Sequence, residues 1–151
     1  MTIDKEAVKL SKTTQSSNLA AEYYVASLLF RLGYVVTVTF GNTKEIDLIV
    51  LDPQTKKTVT LDVKGLKNTT NWIMPKNPLE NERHFYVLVT FKNKISDLDE
   101  VPEVYTIPSE QVTKLWISWI GREEVKAITY SNLRKHPEFK GKDGLKLLFQ
   151  S

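Results

Sequence analysis

Apolar and polar positions change their spacing several times along the chain, and each change marks an element. Over residues 17–33, Leu19, Tyr23, Ala26 and Phe30 form one stripe at helical spacing, and Ala21, Val25, Leu28 and Leu32 form a second. The pattern predicts a helix that is apolar over most of its circumference and well buried. Ser16 or Ser17 would cap it and Gly33 would end it. Tyr34–Phe40 is β-branched and aromatic, a strand by composition, and Gly41-Asn42 turns it into the next segment. Two apolar runs, Ile46–Leu51 and Thr58–Val63, flank Asp52-Pro53-Gln54-Thr55-Lys56-Lys57. Pro53 fixes φ there and the Asp52 side chain turns the backbone, so the runs predict an antiparallel pair. His84–Phe91 is apolar on both faces, as a central strand is, and His84 at its start reads as structural. Glu103–Ile107 is a short strand closed by Pro108. Val112, Leu115, Trp116 and Trp119 predict a helix from Ser109 to about Ile120, with both tryptophans in the core and Gly121 as its stop.

The segments between are polar. Residues 1–15 are an arm in which Asp4–Leu10 forms a short helix or frays. Leu66–Pro78, with two prolines and many small polar groups, reads as a long surface loop, and Lys92–Pro102 as another. The extension 122–151 offers a strand or turn at Val125–Tyr130 and a helical turn at Ser131–His136 closed by Pro137. A flexible linker at 139–144 and a docking segment, Leu145–Phe149, follow. No repeat or low-complexity stretch divides the chain, so 1–151 is one domain.

Composition narrows the function. The 151 residues suffice for a core, and 41% hydrophobic with 10% aromatic content is that of a folded protein. There is no cysteine, which excludes disulfides and thiolate metal sites. Two histidines, His84 and His136, argue against a zinc centre. No signal peptide is apparent, and no run approaches the roughly 18 apolar residues of a membrane span. The expectation is a soluble, cytoplasmic protein with no membrane partner. The net charge of +3 is uneven. Lys64, Lys67, Lys76, Arg83, Lys92 and Lys94 face only Glu80 and Glu82 over residues 64–94, whereas 95–110 holds five acids (Asp97, Asp99, Glu100, Glu103, Glu110) and no base. The basic stretch would steer a polyanion.

That stretch directly follows two misplaced acids. Asp47 stands between Ile46 and Leu48, and Asp62 between Leu61 and Val63, with Lys64 two residues on. Side chains alternate along a strand, so Asp62 and Lys64 share a face. The hairpin folds Asp47 beside Asp62. Adjacent buried carboxylates repel unless a cation lies between them. Two carboxylates, a backbone carbonyl and waters suit a hard ion such as Mg²⁺. A lysine there can orient water or stabilise phosphate charge. Upstream, Glu22 is the only acid in its helix, on a face with Ala26 and Leu29. Glu45 lies on Asp47's side of its strand and reads as a rim residue.

Asp47…Asp62-Val63-Lys64, preceded by a helical glutamate, resembles the PD-(D/E)XK nuclease superfamily, which includes restriction endonucleases and archaeal Holliday-junction resolvases. The resemblance covers roughly residues 16–92. It implies an α/β, restriction endonuclease-like α-β-β-β-α-β core with a mixed central sheet flanked by helices. It also implies a metal-dependent endonuclease that hydrolyses phosphodiester bonds, DNA being the expected nucleic acid. Asp47, Asp62, the Val63 carbonyl and Glu22 would hold Mg²⁺, or Mn²⁺ in its place, and Lys64 would act on water or phosphate. In the loop that follows, Lys67, Asn68, Thr69, Thr70 and Lys76 could contact phosphates and Trp72 could stack on a base, against its reading as a local anchor. Cutting both strands would suit a homodimer. The alternative is a non-catalytic nucleic-acid-binding or complex-forming module that retains the fold.

Overall fold

A computed structural model describes the backbone of residues 5–40 and 45–150, with side chains from Ser16 onward. The elements are α1 (Lys5–Arg31), β1 (Val35–Val38), β2 (Leu48–Leu51), β3 (Thr58–Leu66), β4 (Asn71–Met74), β5 (His84–Thr90), β6 (Glu103–Pro108), α2 (Val112–Leu115), β7 (Ile117–Trp119), β8 (Arg122–Thr129), α3 (Tyr130–Leu133) and α4 (Gly141–Leu145). Five strands form a mixed sheet in the order β1-β2-β3-β5-β6, and β4-β8-β7 form a second, antiparallel sheet. Within the large sheet only β3 and β5 run parallel; the other neighbours are antiparallel.

The hairpin follows from its turn. Asp52 accepts the Gln54 amide at 3.0 Å through one carboxylate oxygen and the Thr55 hydroxyl at 3.0 Å through the other. Lys56 takes a positive φ of 63° to close it. Leu48 then pairs with Leu61 and Leu51 with Thr58. Leu61, Val63, Val87 and Val89 pack under Ala21, Val25 and Leu29 of α1, making one core. On the sheet's other face, Tyr86, Leu88, Tyr105 and Ile107 pack with Trp72 and Ile128 of the small sheet and Leu133 of α3. Every residue of β5 is buried, as a strand covered on both faces must be.

Four expectations are corrected. First, α1 starts at Lys5, so neither Ser16 nor Ser17 caps it; Ser17 is buried within the helix. Residues 5–15 hold only Ala7, Val8 and Leu10 as apolar residues, too few and too close together to announce a helical period. Among its described side chains the helix buries Ser17, Ala21, Val25, Ala26 and Leu29, and leaves Leu19, Tyr23 and Phe30 exposed. Second, Asn71–Met74, expected in a loop, is strand β4. Third, the helix expected over 109–120 is a 3-10 turn followed by the single turn α2, after which the chain enters β7. Ser109 caps nothing: its hydroxyl donates to the Asn81 carbonyl at 2.7 Å and accepts the Asn81 amide at 2.9 Å. Trp119 is therefore 42% exposed rather than core, and Gly121, at φ 81°, closes a hairpin instead of ending a helix. Fourth, the stretch 139–144 is no linker. It contains α4, packs along β6 and bridges Tyr105 to Lys140, while Leu145 and Leu148 enter the core. The Gly41-Asn42 turn lies outside the described residues. Among those described, no helix is long and apolar enough to cross a membrane.

The fold is thus α/β with a mixed five-stranded sheet. The second helix that the resemblance implies between β3 and the next strand is not there. Instead β4 and an irregular stretch through Pro75 and Pro78 make the crossover, because pairing with β8 holds Asn71–Met74 extended and the two prolines that follow keep the next residues out of a helix.

Candidate active site

The site grows from an unpaired strand edge. β2 begins only at Leu48, opposite Leu61, but β3 continues to Leu66, so the last residues of β3 have no strand on that side. Side chains take the strand's place. The Asp47 amide donates to the Leu61 carbonyl at 2.7 Å, and Asp47 Oδ2 accepts the Val63 amide at 2.7 Å. The next amide on this edge, that of Gly65, donates to Asn18 Oδ1 of α1 at 3.1 Å. The N–H and C=O of one strand residue point the same way, so the Val63 carbonyl also faces this edge.

Gly65 sets how closely α1 approaches. A Cβ there would collide with the Ser17 carbonyl and come within 3.0 Å of the Ala21 Cβ. The missing side chain lets the helix bring Asn18 and, one turn on, Glu22 over the end of β3. The Glu22 carboxyl donates a hydrogen bond to the Asp47 carboxylate. Asp62, buried on the opposite face of β3 from Val63, is paired with Lys64 Nζ at 3.2 Å. Asn18, Glu22, Glu45, Asp47, Asp62, Val63, Lys64 and Pro75 line one open cleft of about 380 Å³.

Electrostatics bind these groups into a unit. Burial pushes the Glu22 carboxyl up to about 7, helped by the Asp47 charge, by its hydrogen bond to Asp47 and by the Asp62 charge. Burial also raises Asp47; the Asp62 charge adds to this, while the Val63 amide, the Glu22 hydrogen bond and Lys64 oppose it. On the acid side of neutrality Glu22 therefore keeps its proton and donates it towards Asp47. Among the described residues, no group of three or more Asp, Glu or His side chains is placed to hold a metal ion. Two of the carboxylates face each other across a proton and the third faces Lys64. A proton shared by partly buried acids occupies the place that a cation would take.

Beyond the cleft the candidates separate. Lys76 follows Pro75 at the rim and is exposed. Lys67, Asn68, Thr69 and Thr70 lie past the end of β3, where Asn68 Oδ1 accepts the Thr70 amide at 3.1 Å and its hydroxyl at 2.6 Å. Trp72 does not offer its face to a base. It is 2% exposed, in contact with Tyr105 and Tyr130, and its indole N–H donates to the Val89 carbonyl at 3.1 Å. Its neighbours alternate in and out along β4, so Trp72 packs between the sheets while Ile73 points outward. His84 is buried, with Nδ1 2.7 Å from the Thr60 hydroxyl; burial lowers its pKa, against the pull of Asp62. Sequence reasoning passed over Asn18. Its signal was present, four residues before Glu22 on the same helical face.

Comparison with protein-family models, with curated proteins and with solved structures finds no match.

Proposed function

We propose that the protein is a metal-dependent nuclease that hydrolyses phosphodiester bonds, with DNA as its substrate, and that its sheet is a variant of the restriction endonuclease-like core in which β4 replaces the crossover helix. One observation carries this reading. Glu22, Asp47, Asp62 and Lys64 line one cleft at the open edge of β3, where the Val63 carbonyl also faces.

The donor set suits a hard divalent ion: oxygen ligands only, partly buried, and already electrostatically crowded enough to hold a proton. Asp47, Asp62 and the Val63 carbonyl would hold Mg²⁺ or Mn²⁺, with Glu22 completing the shell. Such an ion polarises a phosphoryl oxygen and makes its water more acidic. The chain's own residues do the rest. The Val63 amide fixes Asp47. Asp62 holds the Lys64 ammonium at the cleft, where it can hold the scissile phosphate or orient the attacking water. Water forms the new P–O bond, the ester P–O bond breaks, and a proton passes to the leaving oxygen. Lys76 at the rim supplies positive charge for the backbone of the substrate.

The second reading is a binding module that keeps this architecture without chemistry. The Lys64–Asp62 ion pair and the proton-sharing Glu22–Asp47 pair favour it, since together they satisfy the site without a metal. One experiment separates the two. Supercoiled, linear, single-stranded and branched DNA, and RNA, are incubated with Mg²⁺ or Mn²⁺ against EDTA, with Asp62→Ala and Lys64→Ala beside the wild type. Metal-dependent cutting that both substitutions abolish supports the nuclease. Salt-sensitive binding without cutting rejects it in favour of the module.

A further inference from the structure

A second cavity, of about 580 Å³, lies between the C-terminal half of α1, the start of β6 and α4. Its walls are apolar, with Leu28, Leu32, Val104 and Leu145 among them, and its rim carries Arg31, Lys92, Lys140 and Lys142. The only carboxylate among the described residues that line it, Glu103, is already engaged. Tyr105 and Tyr130 donate their hydroxyls to Glu103 Oε2 at 2.9 and 2.8 Å, and Lys140 Nζ stands 3.6 Å from Oε1. Lys92 is 4.0 Å from Glu100. Arg31 and Lys142 have no acidic partner among the described residues. The result is an apolar hollow with two uncommitted cations at its mouth.

The complementary shape stands beside it on the same face. The loop after β5 carries Asp97-Leu98-Asp99, with Leu98 93% exposed and Val101 67% exposed. Tyr24 and Pro102 line both the large cavity and the smaller one beneath Leu98, so hollow and projection are adjacent. The projection is apolar at its tip and acidic at its sides; the hollow is apolar within and basic at its rim.

We propose that this face is an interface between two copies of the chain, related by a two-fold axis that passes between projection and hollow. Leu98 of each copy enters the cavity of the other, and Asp97 and Asp99 face Arg31 and Lys142. A two-fold contact presents the same surface twice, so one matched pair of features on one molecule makes two plugs in the dimer. The loop cannot fill its own cavity, because it forms the wall between the two hollows. The occupant is a second copy rather than a small amphipathic anion, because both the apolar tip and the flanking acids that the hollow calls for are already on the chain. The inference stands apart from the nuclease reading.

The test is sedimentation velocity of the full chain over a range of concentrations, with circular dichroism to check folding. The wild type is expected to form a salt-sensitive dimer. Leu98→Asp, at a position with almost no contacts to lose, weakens it by at least about tenfold, equivalent to about 1.4 kcal/mol. Two charge-reversed chains give the sharper result. Asp97→Lys/Asp99→Lys has a basic plug and a basic rim; Arg31→Asp/Lys142→Asp has an acidic plug and an acidic rim. Each alone is expected to stay monomeric, and an equimolar mixture is expected to form the heterodimer. A wild type that remains monomeric, including one that instead takes up an amphipathic anion, overturns the proposal. So does a dimer that Leu98→Asp leaves intact, or a pair of reversed chains that fails to associate on mixing.

Discussion

At the scale of the residue, Glu22 is the most informative position. Its carboxyl is pushed up to about 7 in the folded chain, above the ordinary glutamate value. The folded state therefore binds more protons than the unfolded state between the two values, and stability from this group is lost as pH rises through that window. Asp47 is raised too and adds in the same direction. His84 opposes them, because its lowered pKa withdraws stability on the acid side of neutrality. The difference between variants isolates the effect. In EDTA, Glu22→Gln, whose amide can still donate to Asp47, should lose less Tm than the wild type between pH 5 and pH 7.5; equal slopes would remove the shared proton from the account. These residues were legible in the sequence because acids inside apolar strands are costly without a purpose. Asn18 was less plain, since an asparagine within a helix carries no such penalty and only its place four residues before Glu22 pointed to it. Trp72 packs as the local anchor that its sequence allowed, but in a strand rather than a loop: the polar residues and prolines around it suggested a loop, and only the pairing of β4 with β8 reveals which way the ring points.

At the scale of the element, the contact between α1 and β3 decides the site. Gly65 has no room for a side chain against the Ser17 backbone, and the obstacle is a carbonyl rather than a movable side chain. Gly65→Ala should cost about 1–3 kcal/mol in urea unfolding, the range of overpacking, and should depress any cleavage by lifting Asn18 and Glu22 off the strand edge. A fully stable variant would mean that the helix does not rest where it is described. The β2–β3 hairpin could be read from its turn and alternation alone. The small sheet could not. Val112, Leu115, Trp116 and Trp119 fit a helical period, yet Trp116 already has extended backbone and Ile117 pairs with Ala127. Four apolar residues satisfy a helical spacing by coincidence more readily than a long stripe does, and partner strands distant in sequence settle such ties.

At the scale of the whole molecule, the C-terminal residues are part of the core rather than an appendage. Phe139 packs with Tyr105 and Leu133, and Leu145 and Leu148 close the core beneath α1. A chain ending at His136 should lose cooperative thermal unfolding and scatter light on heating. A truncated chain that melted as sharply as the full one would show these contacts to be dispensable. Glu103 joins the same layers: burial raises its pKa, but the Tyr130 and Tyr105 hydrogen bonds and Lys140 outweigh this and leave it lowered. The charge asymmetry of the sequence survives in the fold as two separate features, a cleft of acids with a basic rim and a basic hollow beside an acidic loop. Linear charge counts could suggest a polyanion partner but not that division.

The parallel seam between β3 and β5 has a kinetic consequence. Each residue of β3 from Thr60 onward meets one 24 positions later, whereas β2 and β3 meet across a six-residue turn. Short-range pairing closes faster than long-range pairing. Folding should therefore proceed from the hairpin outward, with Asp47 already bonded to Val63 before the seam zips shut. Pulse-labelled hydrogen exchange during refolding should protect the amides of β2 and of the hairpin edge of β3 ahead of those in β5. Simultaneous protection would mean that the sheet condenses in one step. In the expected order, the strand edge on which the acids gather is fixed early, and the lysine takes up its final setting last.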